Sequence, residues 1–114
     1  MIDLARLATE GHEQHGLRGH VIAALRTLYD PELPVNIYDL GLIYALDIDA
    51  AGRVDIRMTL TAPGCPVAQT FPTKVEQTVA AVAGVSSAHV DIVWEPPWEQ
   101  SRMSEAARLQ LGLL

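Results

Sequence analysis

From Leu42 to Leu60 the chain alternates apolar and polar residues with a regularity that fits a two-stranded antiparallel unit with one buried face. Leu42, Tyr44, Leu46 and Ile48 alternate with Ile43, Ala45, Asp47 and Asp49; after the turn Ala50-Ala51-Gly52, Val54, Ile56, Met58 and Leu60 alternate with Arg53, Asp55, Arg57 and Thr59. A period of two sets each group on one side of a pleated strand. A one-residue slip would turn the apolar set toward water, so the pattern also fixes the directions of Thr59 and Thr61. The second run leads straight into Thr61-Ala62-Pro63-Gly64-Cys65-Pro66, where Pro63-Gly64 marks a turn.

That turn carries Cys65, the one cysteine in 114 residues. Pro66 suits the first position of a helix, because its missing N–H costs nothing there and its φ is already helical. Cys65 then falls at the cap, where unpaired N–H groups and the positive end of the helix dipole favour thiolate over thiol. Free cysteines are more commonly small buried apolar residues. The turn setting shifts the balance toward a functional thiol.

The flanking segments supply the other layer. Val21, Ile22, Leu25 and Leu28 recur at spacings of three and four, which predicts an amphipathic helix over Leu17–Leu28, ended by Asp30-Pro31. The stretch from Asp30 to Gly41 is too proline-rich for a helix or strand and reads as a structured loop. It holds Asn36 and three carboxylates, Asp30, Glu32 and Asp39, which orient a ligand, bind a hard cation or accept backbone N–H bonds, unless Asp30 and Asp39 merely cap turns; spacing leaves both open. After Pro66, the residues Val67, Phe71, Val75, Val79 and Val82 predict a second helix. Pro72 predicts a short turn over residues 66–71, a kink, and a main helix to about Ala83 with Gly84 as its left-handed cap. Ala88, Val90, Ile92 and Trp94 give a third strand, parallel to the second if the crossover is right-handed, with both helices on one sheet face and His89 on the other. Trp94 to Met103 leads to a short helix capped near Ser101. Trp98 and Met103 either cover the sheet edge or form an apolar patch for a partner.

Composition bounds the function. The length, 49% hydrophobic and 19% charged residues describe one globular domain over residues 17–114, with an N-terminal arm at 1–16. In that arm His12-Glu13-Gln14-His15 has one residue too few for the zinc-protease helix, and no function is assigned to it. One cysteine forbids an internal disulfide, and Asp3, Arg6 and Glu10 interrupt any secretory signal, so a cytoplasmic location is expected. A net charge of −6 with scattered Lys and Arg argues against nucleic acid, and no apolar run reaches the roughly 20 residues that span a bilayer.

Three motifs, in order, resemble one family. They are Asp30-Pro31-Glu32-Leu33-Pro34-Val35-Asn36-Ile37-Tyr38-Asp39-Leu40-Gly41-Leu42-Ile43-Tyr44, then Met58-Thr59-Leu60-Thr61-Ala62-Pro63-Gly64-Cys65-Pro66-Val67-Ala68, then Pro96-Pro97-Trp98 with Ser101-Arg102-Met103-Ser104-Glu105. Together they are similar to the SufT family of iron-sulfur cluster assembly factors, within a wider group that includes PaaD and the cytosolic iron-sulfur targeting factors. The resemblance runs from about Leu17 to the C-terminus. It implies an α+β fold, a two-layer α-β-β-α-β sandwich with a three-stranded mixed sheet, and a role in maturing iron-sulfur proteins rather than in metabolite turnover. On the motifs, Cys65 matches the family's single cysteine, and Asp30, Glu32, Asn36, Asp39 and Thr61 match the polar positions around it. Partners would be the assembly machinery and client apo-proteins.

A cluster normally takes four thiolates, or thiolates with histidine, and one chain supplies one. Either a homodimer joins two Cys65 thiolates with outside thiols, or the protein lends one ligand during transfer; no stably bound cofactor is expected, and a structural zinc site meets the same shortage. Two other classes stay open: an adaptor that docks clients through the Trp98 region with Cys65 merely packing, and a thiol enzyme. The enzyme ranks last, because no histidine lies near Cys65 in sequence to serve as its base.

Overall fold

The structure is a computed structural model and describes residues 16–30, 33–61 and 67–113. The expected arm and its His12–His15 pair lie outside them, as do Glu32 and the turn 62–66 with Cys65. Helix α1 occupies residues 16–25. Strands β1 (Ile43–Ile48) and β2 (Arg53–Met58), helix α2 (Val67–Ala80) and strand β3 (Ser87–Ile92) follow. A 3-10 turn (Gln100–Arg102) and helix α3 (Glu105–Gln110) end the chain. The sheet order is β1-β2-β3, with β1 antiparallel and β3 parallel to β2, as the alternation and the crossover rule require.

One core fills the space between the layers. Val21 and Leu25 of α1 and Val75 and Val79 of α2 are fully buried, packed in one cluster with Leu46, Val54, Ile56, Met58 and Val90. Truncating such a residue, Leu25 for example, to alanine costs roughly 2–5 kcal/mol. The opposite sheet face carries Arg53, Asp55, Arg57, Ser87, His89 and Asp91, all exposed. Both helices therefore serve one face. His89, on the open face, sits 3.0 Å from Asp91 and 3.7 Å from Glu76. At the hairpin turn Asp49 accepts N–H bonds from Ala51 and Arg53 and one from the Arg53 guanidinium. Chiefly the Arg53 backbone bond holds its carboxyl below the usual carboxylate range.

Four local expectations give way to tertiary structure. β1 carries a bulge, with Ile43 opposite Met58 and Ala45 opposite Arg57, so Tyr44 is the extra residue and leaves the inward set. α1 stops at residue 25 rather than 28, because Tyr29 bridges to Asn36 and the Leu28 carbonyl accepts the Ile37 N–H. α2 runs unbroken through Pro72 and ends at Ala80, with Gly84 at φ 97° four residues on. Phe71, Val75 and Val79, one turn apart and buried, hold it against the sheet across the missing hydrogen bond. The last helix is capped by Ser104, whose hydroxyl accepts the Ala107 N–H, and not by Ser101.

Candidate functional site

The loop between α1 and β1 is built by a fold-back. The Ile37 N–H reaches the Leu28 carbonyl (2.9 Å) and the Asp30 N–H reaches that of Val35 (3.2 Å). This places Asp30 inside the protein, 6% exposed. Its Oδ1 accepts the Leu33 N–H (3.0 Å) and its Oδ2 accepts the Thr61 hydroxyl (3.3 Å). Burying a carboxylate costs its hydration, and these two donors offset part of that cost. The bond to Thr61 spans 31 positions of sequence. It ties the acidic loop to the end of β2 where the chain enters the cysteine turn.

Asn36 and Asp39 make a second knot. Asn36 Oδ1 accepts the Asp39 N–H (2.8 Å) and its amide donates to Asp39 Oδ2 (2.9 Å). Arg26, at the end of α1, lies 3.6 Å from Asp39 and stacks 5.0 Å from the Tyr38 ring centre. The knot closes an Asx-type turn and anchors it to the first helix. Its carboxylate and amide are engaged in holding the loop shape, which is the turn-capping role left open by spacing.

The C-terminal segment straps this loop down. The Trp98 indole N–H donates to the Leu40 carbonyl (2.7 Å). The Ser104 N–H donates to the Asp39 carbonyl (2.8 Å). The bulged Tyr44 gives its hydroxyl to the Pro96 carbonyl (2.7 Å) while Arg102 covers its ring at 4.5 Å. Gly41 lies where the strap crosses, at φ 79°, and a Cβ there would overlap the Arg102 carbonyl. Met103 is 3% exposed and Trp98 partly buried, whereas Trp94 is 41% exposed.

Of the residues singled out from the sequence, Asp30 and Thr61 meet directly, and Asn36 and Asp39 meet each other. Cys65 and Glu32 fall outside the described residues. Arg26, Tyr44 and Arg102 escaped notice because their roles depend on contacts between distant segments. So did Thr59, which is 1% exposed and whose buried hydroxyl has no hydrogen-bond partner among the described residues. The one signal for it was its place in the outward set of β2, uncharged where Arg53, Asp55 and Arg57 are charged. Among the described residues no group of three or more His, Cys, Asp or Glu is placed to hold a metal ion.

The family model described as "Iron-sulfur cluster assembly protein" matches residues 18–92, which take in the acidic loop, the hairpin, the cysteine turn and the crossover. The chain belongs to the iron-sulfur cluster assembly protein family. Within this family it is 50% identical to an Fe-S protein maturation auxiliary factor of Porphyromonas gingivalis, over 82% of this chain and 90% of that one. It is 38% identical to the Fe-S protein maturation auxiliary factor SufT of Staphylococcus aureus, over 74% of this chain and 96% of that one. The crystal structure of a domain of unknown function from Bacillus anthracis, 36% identical, superposes with a TM-score of 0.78 over 88% of this chain and 95% of that one. The α+β fold is thus shared with that solved domain, and the resemblance carried by the motifs holds.

Proposed function

We propose that this chain is a maturation factor for iron-sulfur proteins in which Cys65 acts as a transient ligand to iron or to a cluster in transit. The names borne by its relatives support the general role. The hydrogen bond between Thr61 and Asp30 carries the local one, because it joins a buried carboxylate of the acidic loop to Thr61, four residues before Cys65 in sequence. A single thiolate cannot enclose a cluster, and it can share one with thiols from a second copy or from a client. Cluster and iron are therefore cargo, and the protein acts without turnover of a metabolite. Its partners are assembly proteins and client apo-proteins in the cytoplasm. None of the described helices is long and apolar enough to cross a membrane.

The loop carboxylates divide their work. Asp39 keeps the loop in shape through Asn36 and Arg26, and Asp30 steadies Thr61. The test is anaerobic reconstitution with iron and sulfide, followed by absorbance and by iron and sulfide analysis. Wild type should take up both and Cys65→Ser should take up neither. Equal uptake by the two proteins would remove the ligand role and leave the adaptor reading, in which the strap around Trp98 and the exposed Trp94 meets the client.

A further inference from the structure

β3 ends the sheet, with β2 on one side and no strand on the other among the described residues. The Val93 N–H, just past its end, reaches the Met58 carbonyl of β2 (2.8 Å). Backbone groups alternate in direction along a strand, so those of Ala88, Val90 and Ile92 point away from β2. Such an edge is a template for another chain unless something occupies it. Here Glu76 of α2 does so: its Oε2 accepts the Val90 N–H (2.8 Å) at the middle of the strand. The same oxygen lies 3.7 Å from His89 Nδ1, while His89 Nε2 lies 3.0 Å from Asp91 Oδ1.

The edge behind that carboxylate is self-complementary. Turned about a two-fold axis through Val90, the run Ala88-His89-Val90-Asp91-Ile92 would set Val90 against its counterpart, Ala88 against Ile92 and His89 against Asp91 of the second copy. The exposed imidazole and carboxylate would meet on the open face, and the half-buried Ala88 and Ile92 would join the buried Val90 on the core side. We propose that the free edge of β3 is a docking surface for a second copy of this chain, and that Glu76 guards it. Pairing replaces the bond from Val90 to a carboxylate with one to a neutral carbonyl, and bonds to an ionised acceptor are roughly twice as strong. The guarded edge therefore stays unpaired until Glu76 leaves Val90. The proposal uses no residue of the cysteine turn and stands apart from the maturation role.

The test is sedimentation of the full chain as wild type, Glu76→Ala, and Glu76→Ala with Asp91→Lys added, in reductant and without iron. A strand pair this short buries little surface, so concentrations run up to about 1 mM. Glu76→Ala should approach twice the mass of wild type. Asp91→Lys sets a cation against His89 and should return Glu76→Ala to the wild-type mass, although it lowers the net negative charge further and would favour association driven by reduced repulsion alone. Amide exchange in the wild type, read by NMR, supplies a check that does not depend on any variant folding: the Val90 N–H should be protected although it points away from β2. Equal masses for wild type and Glu76→Ala, a Glu76→Ala dimer that Asp91→Lys leaves intact, or fast exchange at Val90 in the wild type would each overturn the proposal.

Discussion

Thr61→Val is the substitution that most directly probes the join between the acidic loop and the cysteine turn. Valine keeps the volume of threonine and removes the hydroxyl that reaches Asp30 Oδ2 at 3.3 Å. Hydrogen bonds to charged groups contribute about 1.5–3 kcal/mol, and the long distance puts this one at about 1.5 kcal/mol. A domain of 114 residues has an unfolding entropy near 0.24 kcal/mol/K at about 2.1 cal/mol/K per residue, so melting should fall by about 6 °C. Asp30→Ala removes the same bond and also the Leu33 N–H contact (3.0 Å), and should be the more destabilised of the two. Urea denaturation of both single variants and the double variant closes a cycle. The coupling energy should be about 1.5 kcal/mol. Additivity within about 0.5 kcal/mol would show that the two side chains do not support one another, and the site built on them would fail.

Three further outcomes follow from the same contacts. Trp98→Phe keeps an aromatic side chain and loses the indole N–H bonded to Leu40, so the protein should lose about 1 kcal/mol or more and hydrogen exchange in residues 36–42 should speed up; unchanged exchange would show that the strap does not hold the loop. Gly41→Ala places a Cβ on the Arg102 carbonyl at a residue with φ 79°, and should displace the strap, seen as loss of near-ultraviolet circular dichroism and faster proteolysis after Arg102; a native spectrum would contradict the crossing. Asp49, held down by the Arg53 N–H, should titrate below the ordinary carboxylate value by carbon-detected NMR. A depressed folded value means that its stabilisation is complete above the unfolded value and is lost as pH falls through the folded one, so Asp49→Asn should flatten the acid limb of the stability curve.

How much of this could be read from the sequence depends on how local each cause is. The core residues Val54, Ile56, Met58, Val75 and Val79 follow from periodicity, the hairpin from periodicity with its turn residues, and the parallel third strand from the crossover rule. Tyr44 shows where periodicity stops: a single bulged residue shifts the strand by one, and only its partners at Pro96 and Arg102, far along the chain, reveal why. Leu25 and Leu28 keep a helical spacing, yet the bridge from Tyr29 to Asn36 outweighs it and the helix ends at residue 25. Proline at 72 announced a break that packing prevents. In the site, Asp30 and Thr61 were both legible as motif residues, but not as partners. Asn36 and Asp39 were legible as polar, but not as each other's support. Thr59 carried almost no signal, because burial on the outward side of a strand depends on what lies over it.

The central claim is that Cys65 carries iron or cluster on its way to a client, and cluster transfer tests it most directly. An apo iron-sulfur enzyme would be mixed without oxygen with the reconstituted protein, and recovery of the enzyme's activity followed over time. Wild type should restore activity at a rate that rises with its concentration, and Cys65→Ser should add nothing above free iron and sulfide. Recovery at equal rates with both proteins would contradict the account.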